Sequence, residues 1–313
     1  MKKLKEAKEL HEPVLLNEVL EALRVKEIAR SKKACYIDAT VGLGGHTREI
    51  VKAGARVLGI EADLYSLEIA RERLKEACPT LESDDHFQGS FILTHGNFIE
   101  IEKIAKDNGF ESVEGILFDL GISSFQLEGK NAGFSFQDPL APLDMRIDPV
   151  SNKVKASDLL KVLNETQLIE LFTVVLNTAK SRLVAKAIVR ERAKKDIQTV
   201  GDFLYTIRGI FRPKRGQNVA TLPFLALRIA VNSELENLKI TLPAAFNLLN
   251  LGGKLVVICF HSGEDRIVKH FFITKEKEGV ARLLTKKPIV PSYEEIQRNP
   301  RARSAKMRIL EKI

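Results

Sequence analysis

Three features of the sequence predict an α/β chain built on a mostly parallel, doubly wound sheet. Short apolar runs alternate with amphipathic segments of helical period. The first of these runs stops at a glycine cluster, Gly42-Leu43-Gly44-Gly45. An acid, Glu61, closes the second run 19 residues after Gly42.

Ala34 to Thr40 is the first β-prone run, Thr47 to Lys52 reads as a helix ended by Gly54, and Arg56 to Glu61 is the second strand. Leu64 to Ala77 is a further amphipathic helix, Phe91 to His95 a third strand, and Gly115 to Asp119 a fourth that stays apolar until its aspartate. From about Glu128 to Gly216 the pattern turns helical and basic. Leu222 to Leu242 then reads as one long helix, Lys254 to Phe260 as another strand, and Ala305 to Ile313 as an edge strand. Because strands resume after the helical stretch, residues 1–128 and 217–313 are expected to form the sheet domain and 129–216 an inserted all-helical domain.

At 313 residues, 44% of them hydrophobic and 29% charged, the chain is long enough to bury a core without disulfides or metals and fits a soluble globular protein. Its longest apolar stretches, such as Leu255 to Phe260, are too short to span a membrane, and Met1 to Leu10 lacks the apolar centre of a secretory signal, so a cytoplasmic location is expected. Cys35, Cys78 and Cys259 are unpaired in spacing and read as reduced, structural thiols. No histidine–carboxylate cluster has metal spacing. A net charge of +8 favours a polyanionic partner, nucleic acid first, although the same excess would also serve solubility alone. Between Lys180 and Lys195, seven basic residues face one acid, and Arg182, Lys186 and Arg190 recur every four residues along one helix face. Arg208, Arg212, Lys214, Arg215 and the tail from Arg298 to Arg308 add basic surface, with Tyr205 and Phe211 available for stacking. An ordinary solvated helix face would show the same stripe.

In open α/β sheets, ligands bind at the carboxyl ends of the strands, and the first strand-to-helix turn is where backbone approaches ligand most closely. Gly42, Gly44 and Gly45 suit that turn, and Glu61 is in register to accept hydrogen bonds from ribose hydroxyls. The third glycine of the dinucleotide fingerprint is missing. That favours S-adenosylmethionine, which has no pyrophosphate to seat, over a hydride carrier. Asp119 leads into Leu120-Gly121-Ile122-Ser123-Ser124-Phe125-Gln126, whose carboxylate, hydroxyls and amide can bind cofactor or orient substrate; a simple helix N-cap at Ser123 or Ser124 would use the same residues.

Several blocks now take on a collective meaning: His11 to Leu16, Asp38 to His46, His95 to Phe98, Asp119 to Gln126, Gly133 to Phe136, Pro142 to Arg146, Leu227 to Leu235, Phe260 to Arg266 and Asn299 to Ser304. In this order the chain resembles the bacterial 16S ribosomal RNA cytosine-N4 methyltransferases, the RsmH or MraW family, over nearly its whole length. The resemblance implies a Rossmann-like methyltransferase core with an inserted helical substrate-recognition domain. It further implies direct methylation by S-adenosylmethionine of a cytidine N4 amine in the decoding centre, within an assembled or nearly assembled small subunit; a homodimer is admissible. By the same resemblance Gly44, Gly45 and His46 contact the cofactor, Glu61 holds its ribose, Phe98 and Asp119 border its adenine and methionine parts, and Gln126 completes the pocket. The family usually has aspartate at the position of Glu61, and the longer acid keeps the acceptor.

For the chemistry, Asp119 is the expected acceptor for the amine N–H, with Ser123 second. His261 and Asp265 are placed to orient a flipped base. Glu264, Asp265 and Arg266 could equally form a helix-start ion pair. Arg182, Lys186 and Arg190 are the expected RNA contacts.

Overall fold

In the computed structural model, which describes residues 12–31, 34–78, 89–122, 132–212 and 218–313, the apolar runs assemble into a single seven-stranded sheet. Its strands are β1 (Cys35–Asp38), β2 (Arg56–Glu61), β3 (Phe91–His95), β4 (Val113–Asp119), β5 (Leu249–Cys259), β6 (Ala281–Leu283) and β7 (Lys306–Lys312), in the order β3-β2-β1-β4-β5-β7-β6. The first five are parallel, and β7 runs antiparallel between β5 and β6. This is the doubly wound Rossmann-like arrangement, with the direction of sheet growth reversing between β1 and β4.

Neighbouring residues along each strand face opposite sides, and both sides are covered, which is why the strands read as continuous apolar runs. Tyr36, Val57, Leu117 and Val256 pack with helices α1 (Leu16–Ala22), α3 (Gly45–Lys52) and α4 (Leu64–Ala77). A short helix, α2 (Val25–Ser31), links α1 to β1. Ile37, Leu58, Ile116 and Val257 face the other side and pack with α5 (Ile101–Asp107) and with later helices introduced below.

The chain divides into two compact units, residues 1–123 with 236–313, and residues 124–235. The second contains α6 (Ala156–Val162), α7 (Glu165–Thr173), α8 (Thr178–Arg192), α9 (Val200–Ile207) and α10 (Thr221–Val231). The boundary at 235 differs from the expected one at 216, because α10 joins the helical unit through Phe224, whose ring lies 5.4 Å from Phe203 and 5.9 Å from Phe136.

Two sequence expectations are corrected. The long helix read from Leu222 to Leu242 is broken at Asn232 and Ser233, where Ser233 takes a left-handed φ of 50°, so α10 ends and α11 (Glu234–Leu248) starts afresh. The last strand, β7, is interior: β6 is the edge, and its three residues are too short for a periodic signal. Helix α12 (Ser262–Lys277) follows β5, and α13 (Tyr293–Arg298) precedes β7. With α5, helices α11 and α12 cover the second side of the sheet through Leu242, Phe246, Val268 and Phe272. Among the described residues no helix is long and apolar enough to cross a membrane, and the three cysteines are free thiols.

Candidate active site

Because β1, β2 and β4 are parallel, their carboxyl ends bring Asp38, Glu61 and Asp119 to one edge of the sheet, at the point where the winding reverses. The glycine turn closes over that edge. Gly42, at φ 55°, points its N–H at Glu61 Oε2, 2.7 Å away, while Oε1 accepts from the Asp63 N–H at 2.9 Å. Glu61 thus ties the turn to the end of β2. Burial pushes its carboxyl up to about 7, against the pull of those two donors, and the charges of Asp63 and Asp38 add to the rise.

Gly44 caps α3 and Gly45 opens it. A side chain at Gly45 would put its Cβ 2.5 Å from Pro13 Cγ, so the absence of one lets the segment before α1 lie on the helix start. That segment's Val14 carbonyl accepts from His46 Nε2 at 3.0 Å. Burial holds His46 neutral by lowering its pKa to about 4, and the bond to Val14 places the proton on Nε2. Nδ1 is left as a lone pair 3.7 Å from Asp119 Oδ2, too far for a hydrogen bond.

Asp38 and Thr40 complete the arrangement, and the sequence reading gave neither a role. Asp38 accepts from Thr47 Oγ1 at 2.6 Å and from the Thr40 N–H at 3.2 Å, and burial raises it to about 6. Thr40 Oγ1 in turn accepts the Asp119 N–H at 2.6 Å. The only signal for them was position, at the end of a strand just before a glycine turn. Asp119 differs from the other two acids: its Oδ1 is buried and, among the described residues, has no hydrogen-bond partner. Burial, with the charges of Asp38 and Glu264, pushes its carboxyl well above the usual range.

Beyond β5, His261 is the N-cap of α12, its Nδ1 accepting from the Gly263 N–H at 3.1 Å. Glu264 reciprocates, accepting the Phe260 and His261 N–H groups at 2.7 and 3.1 Å. His261 Nε2 is buried 3.2 Å from Glu264 Oε1 but lacks hydrogen-bond alignment with it. Asp265 binds Arg308 Nε at 2.7 Å, so its partner is on β7. Among the described residues the expected helix-start ion pair of Glu264, Asp265 and Arg266 does not form: Asp265 pairs with Arg308, and the helix start is held by the His261–Glu264 capping box.

Phe98, half-buried after β3, meets Phe118 edge-on at 5.7 Å. The structure therefore brings Gly44, Gly45, His46, Glu61 and Asp119 around one crevice. Ser123 and Gln126 lie outside the described residues.

In the helical unit, Arg182, Lys186 and Arg190 are exposed on one face of α8, opposite the buried Val184, Ala185 and Ile188. Other basic residues of the stripe are engaged. Arg192 donates to the Leu160 and Leu163 carbonyls, Lys194 pairs with Glu191, and Lys195 pairs with Asp202. Tyr205 is stacked under the guanidinium of Arg208, and Phe211 lies under Lys180.

Comparison with known proteins finds relatives of this chain. Ribosomal RNA small subunit methyltransferase H of Thermomicrobium roseum is 42% identical over 325 aligned residues, covering 97% of this chain and 94% of that protein. The protein of the same name from Dictyoglomus thermophilum is 39% identical, covering 99% of each. Among solved structures, an rRNA methylase from Streptococcus thermophilus aligns with 94% of this chain and 96% of its own, at 9% identity and a TM-score of 0.44. The model of the MraW methylase family matches residues 8–313, and the chain belongs to that family.

Proposed function

We propose that this protein methylates the exocyclic N4 amine of a cytidine in the decoding centre of 16S ribosomal RNA, using S-adenosylmethionine, in the cytoplasm and on an assembled or nearly assembled small subunit. The relatives' names support the RNA class, and the observation that carries the chemistry is Asp119, whose buried Oδ1 has no partner among the described residues. A carboxyl in that state, beside two further raised acids, calls for a ligand that brings positive charge and N–H or O–H donors.

S-adenosylmethionine fits this donor set, with a ribose diol for Glu61, a flat base for Phe98 and cationic groups for the acid edge. Bound, it supplies an electrophilic methyl group. Glu61 would hold the ribose hydroxyls with the lone pairs that Gly42 and Asp63 leave open. His46, neutral and fixed by Val14, would keep a second cation away from the sulfonium side of the crevice. Positive charge nearby draws Asp119 back to its carboxylate form.

The N4 amine is a weak nucleophile because its lone pair is delocalised into the ring. It would gain the methyl group as the sulfonium S–CH3 bond breaks, leaving a neutral thioether, and would lose one proton to solvent by way of the Asp119 carboxylate. Asp119 as carboxylate accepts one N–H of the amine and stabilises the charge that develops there. His261 would contribute Nε2–H as a donor to the base, since Nδ1 is already used as the cap. Arg182, Lys186 and Arg190 would hold RNA phosphates.

The test is to incubate the protein with methyl-labelled S-adenosylmethionine and unmodified small subunits or their RNA, then digest to nucleosides. N4-methylated cytidine at one site is the expected product. Label on a ring carbon or on another base would overturn the N4 assignment, and binding without transfer would reduce the chain to an assembly factor.

A further inference from the structure

A groove between α11 and α12, outside the crevice described above, has a cationic rim and an apolar floor. It is open to solvent, offers about 380 Å³ and is lined by Lys239 and Leu242 from α11 and Arg266, Ile267, His270 and Phe271 from α12. It lies on the same side of the sheet as α5. It also begins less than two turns along α12 from the His261 cap, so the carboxyl edge of the sheet leads into it.

The rim is chemically unspent. Arg266 and His270 are exposed and form no ion pair or hydrogen bond among the described residues. Lys239 meets only Glu236 at 3.1 Å, with both side chains more than half exposed, a contact of little energy that a stronger anion displaces. The nearest carboxylate on α12, Asp265, is neutralised by Arg308 at 2.7 Å and has Lys306 at 3.7 Å. The carboxylate that opposes an anion here is Glu236, and its exposed side chain can swing away into solvent. The floor is held in place: Leu242 is fully buried, and Phe271 packs against Phe246 and Phe272 with ring centroids 6.3 Å apart in each case.

The cationic rim selects an anion, and about 380 Å³ of groove gives room for one small ring system with its charged group. We propose that the groove holds one unpaired nucleotide of the RNA substrate, its phosphate between Arg266 and Lys239 and its base over the half-buried Ile267 and Phe271, with Leu242 supporting them from beneath. The proposal rests on the RNA-methylation reading above. It follows the usual chemistry of single-stranded RNA recognition, in which an unstacked base finds a flat apolar or aromatic surface and cations track the backbone.

The experiment compares the full-length protein with a Lys239→Ala/Arg266→Ala variant. Both sites are exposed and engage no buried group, so the variant keeps its fold. RNA binding by filter retention over a salt series, methyl-transfer kinetics, and S-adenosylmethionine binding by calorimetry are measured on each. The expected result is RNA binding weakened about tenfold, a KM for RNA raised equally with kcat held, unchanged cofactor affinity, and a salt slope shallower by about 0.7, the value for one single-strand phosphate contact. A Lys239→Arg/Arg266→Lys variant should retain the slope. Unchanged RNA affinity and slope would overturn the proposal. If neither protein transfers methyl groups to RNA, the functional reading fails, while the filter-binding slopes still decide the groove.

Discussion

Replacing Glu61 with glutamine separates the cost of this acid from its use. Its carboxyl sits at about 7 in the folded protein, against 4.5 for an ordinary glutamate. Between those values the native state holds a proton that the unfolded chain has released. Stability therefore falls as pH rises through this window and stays lost above it. The difference of 2.5 pKa units corresponds to about 3 kcal/mol in full, of which about 2.5 kcal/mol is spread between pH 5 and pH 8. Glutamine has no such dependence. It does leave one of the Gly42 and Asp63 N–H groups without an acceptor, an offset of about 1–3 kcal/mol that does not change with pH.

Urea unfolding of ligand-free wild type and Glu61→Gln at pH 5 and pH 8 measures the gap between them; Asp119 titrates in both proteins and drops out of the difference, while the repulsion between Asp38 and Glu61 is part of the rise at Glu61 and counts toward the gap. The gap should move about 2.5 kcal/mol in favour of the variant at the higher pH, while S-adenosylmethionine binding weakens at least tenfold. A gap constant to within about 0.5 kcal/mol would refute the claim that this carboxylate is held ionised at a cost to stability.

Three other outcomes follow from the same geometry. Asp119→Asn should slow single-turnover methyl transfer by about 10²–10³-fold while RNA affinity stays within about twofold, a split that equal losses in both would contradict. Gly45→Ala drives a Cβ to 2.5 Å from Pro13 Cγ, and thermal melts should show a loss of about 1–3 kcal/mol together with weaker cofactor binding as the Val14 carbonyl shifts off His46. Neutralising Arg182, Lys186 and Arg190 together should flatten the salt dependence of RNA binding by about 2 in slope, read by filter retention.

Much of the sheet was legible because its central strands are buried on both sides and so read as unbroken apolar runs, each ending at an acid or a glycine. Residues 35–38, 56–61 and 113–119 fall where those runs predict, and so does the partly buried outer strand at 91–95. Reading failed where the deciding interaction was distant or the element too short. β6 has three residues, and β7 looks like an edge until β6 is known to pair with its far side. The break between α10 and α11 hides within a helical pattern because the Asn232 side chain and the left-handed Ser233 make it, and neither disturbs the apolar period on its two sides.

The candidate site divides in the same way. Glu61 and Asp119 are visible from sequence because a strand must end before a ligand can meet it, so an acid at a strand's last residue is already placed. What fixes His46 is not local at all. Its Nε2 partner, the Val14 carbonyl, belongs to a segment held by Leu15, a residue at the unfavourable φ of 54° whose N–H is captured by Glu295 Oε1 at 2.7 Å, 280 residues away. Glu295 is itself buried on α13, and Asn299 just beyond that helix donates to the Glu12 carbonyl at 3.1 Å. The neutral histidine beside Asp119 is therefore set by the end of the chain acting on its beginning. Asp119 must stay free of any cation supplied by the protein if it is to be turned into a carboxylate only by what binds. A tail-anchored, uncharged imidazole gives that, where a lysine or arginine at position 46 would have satisfied the acid permanently.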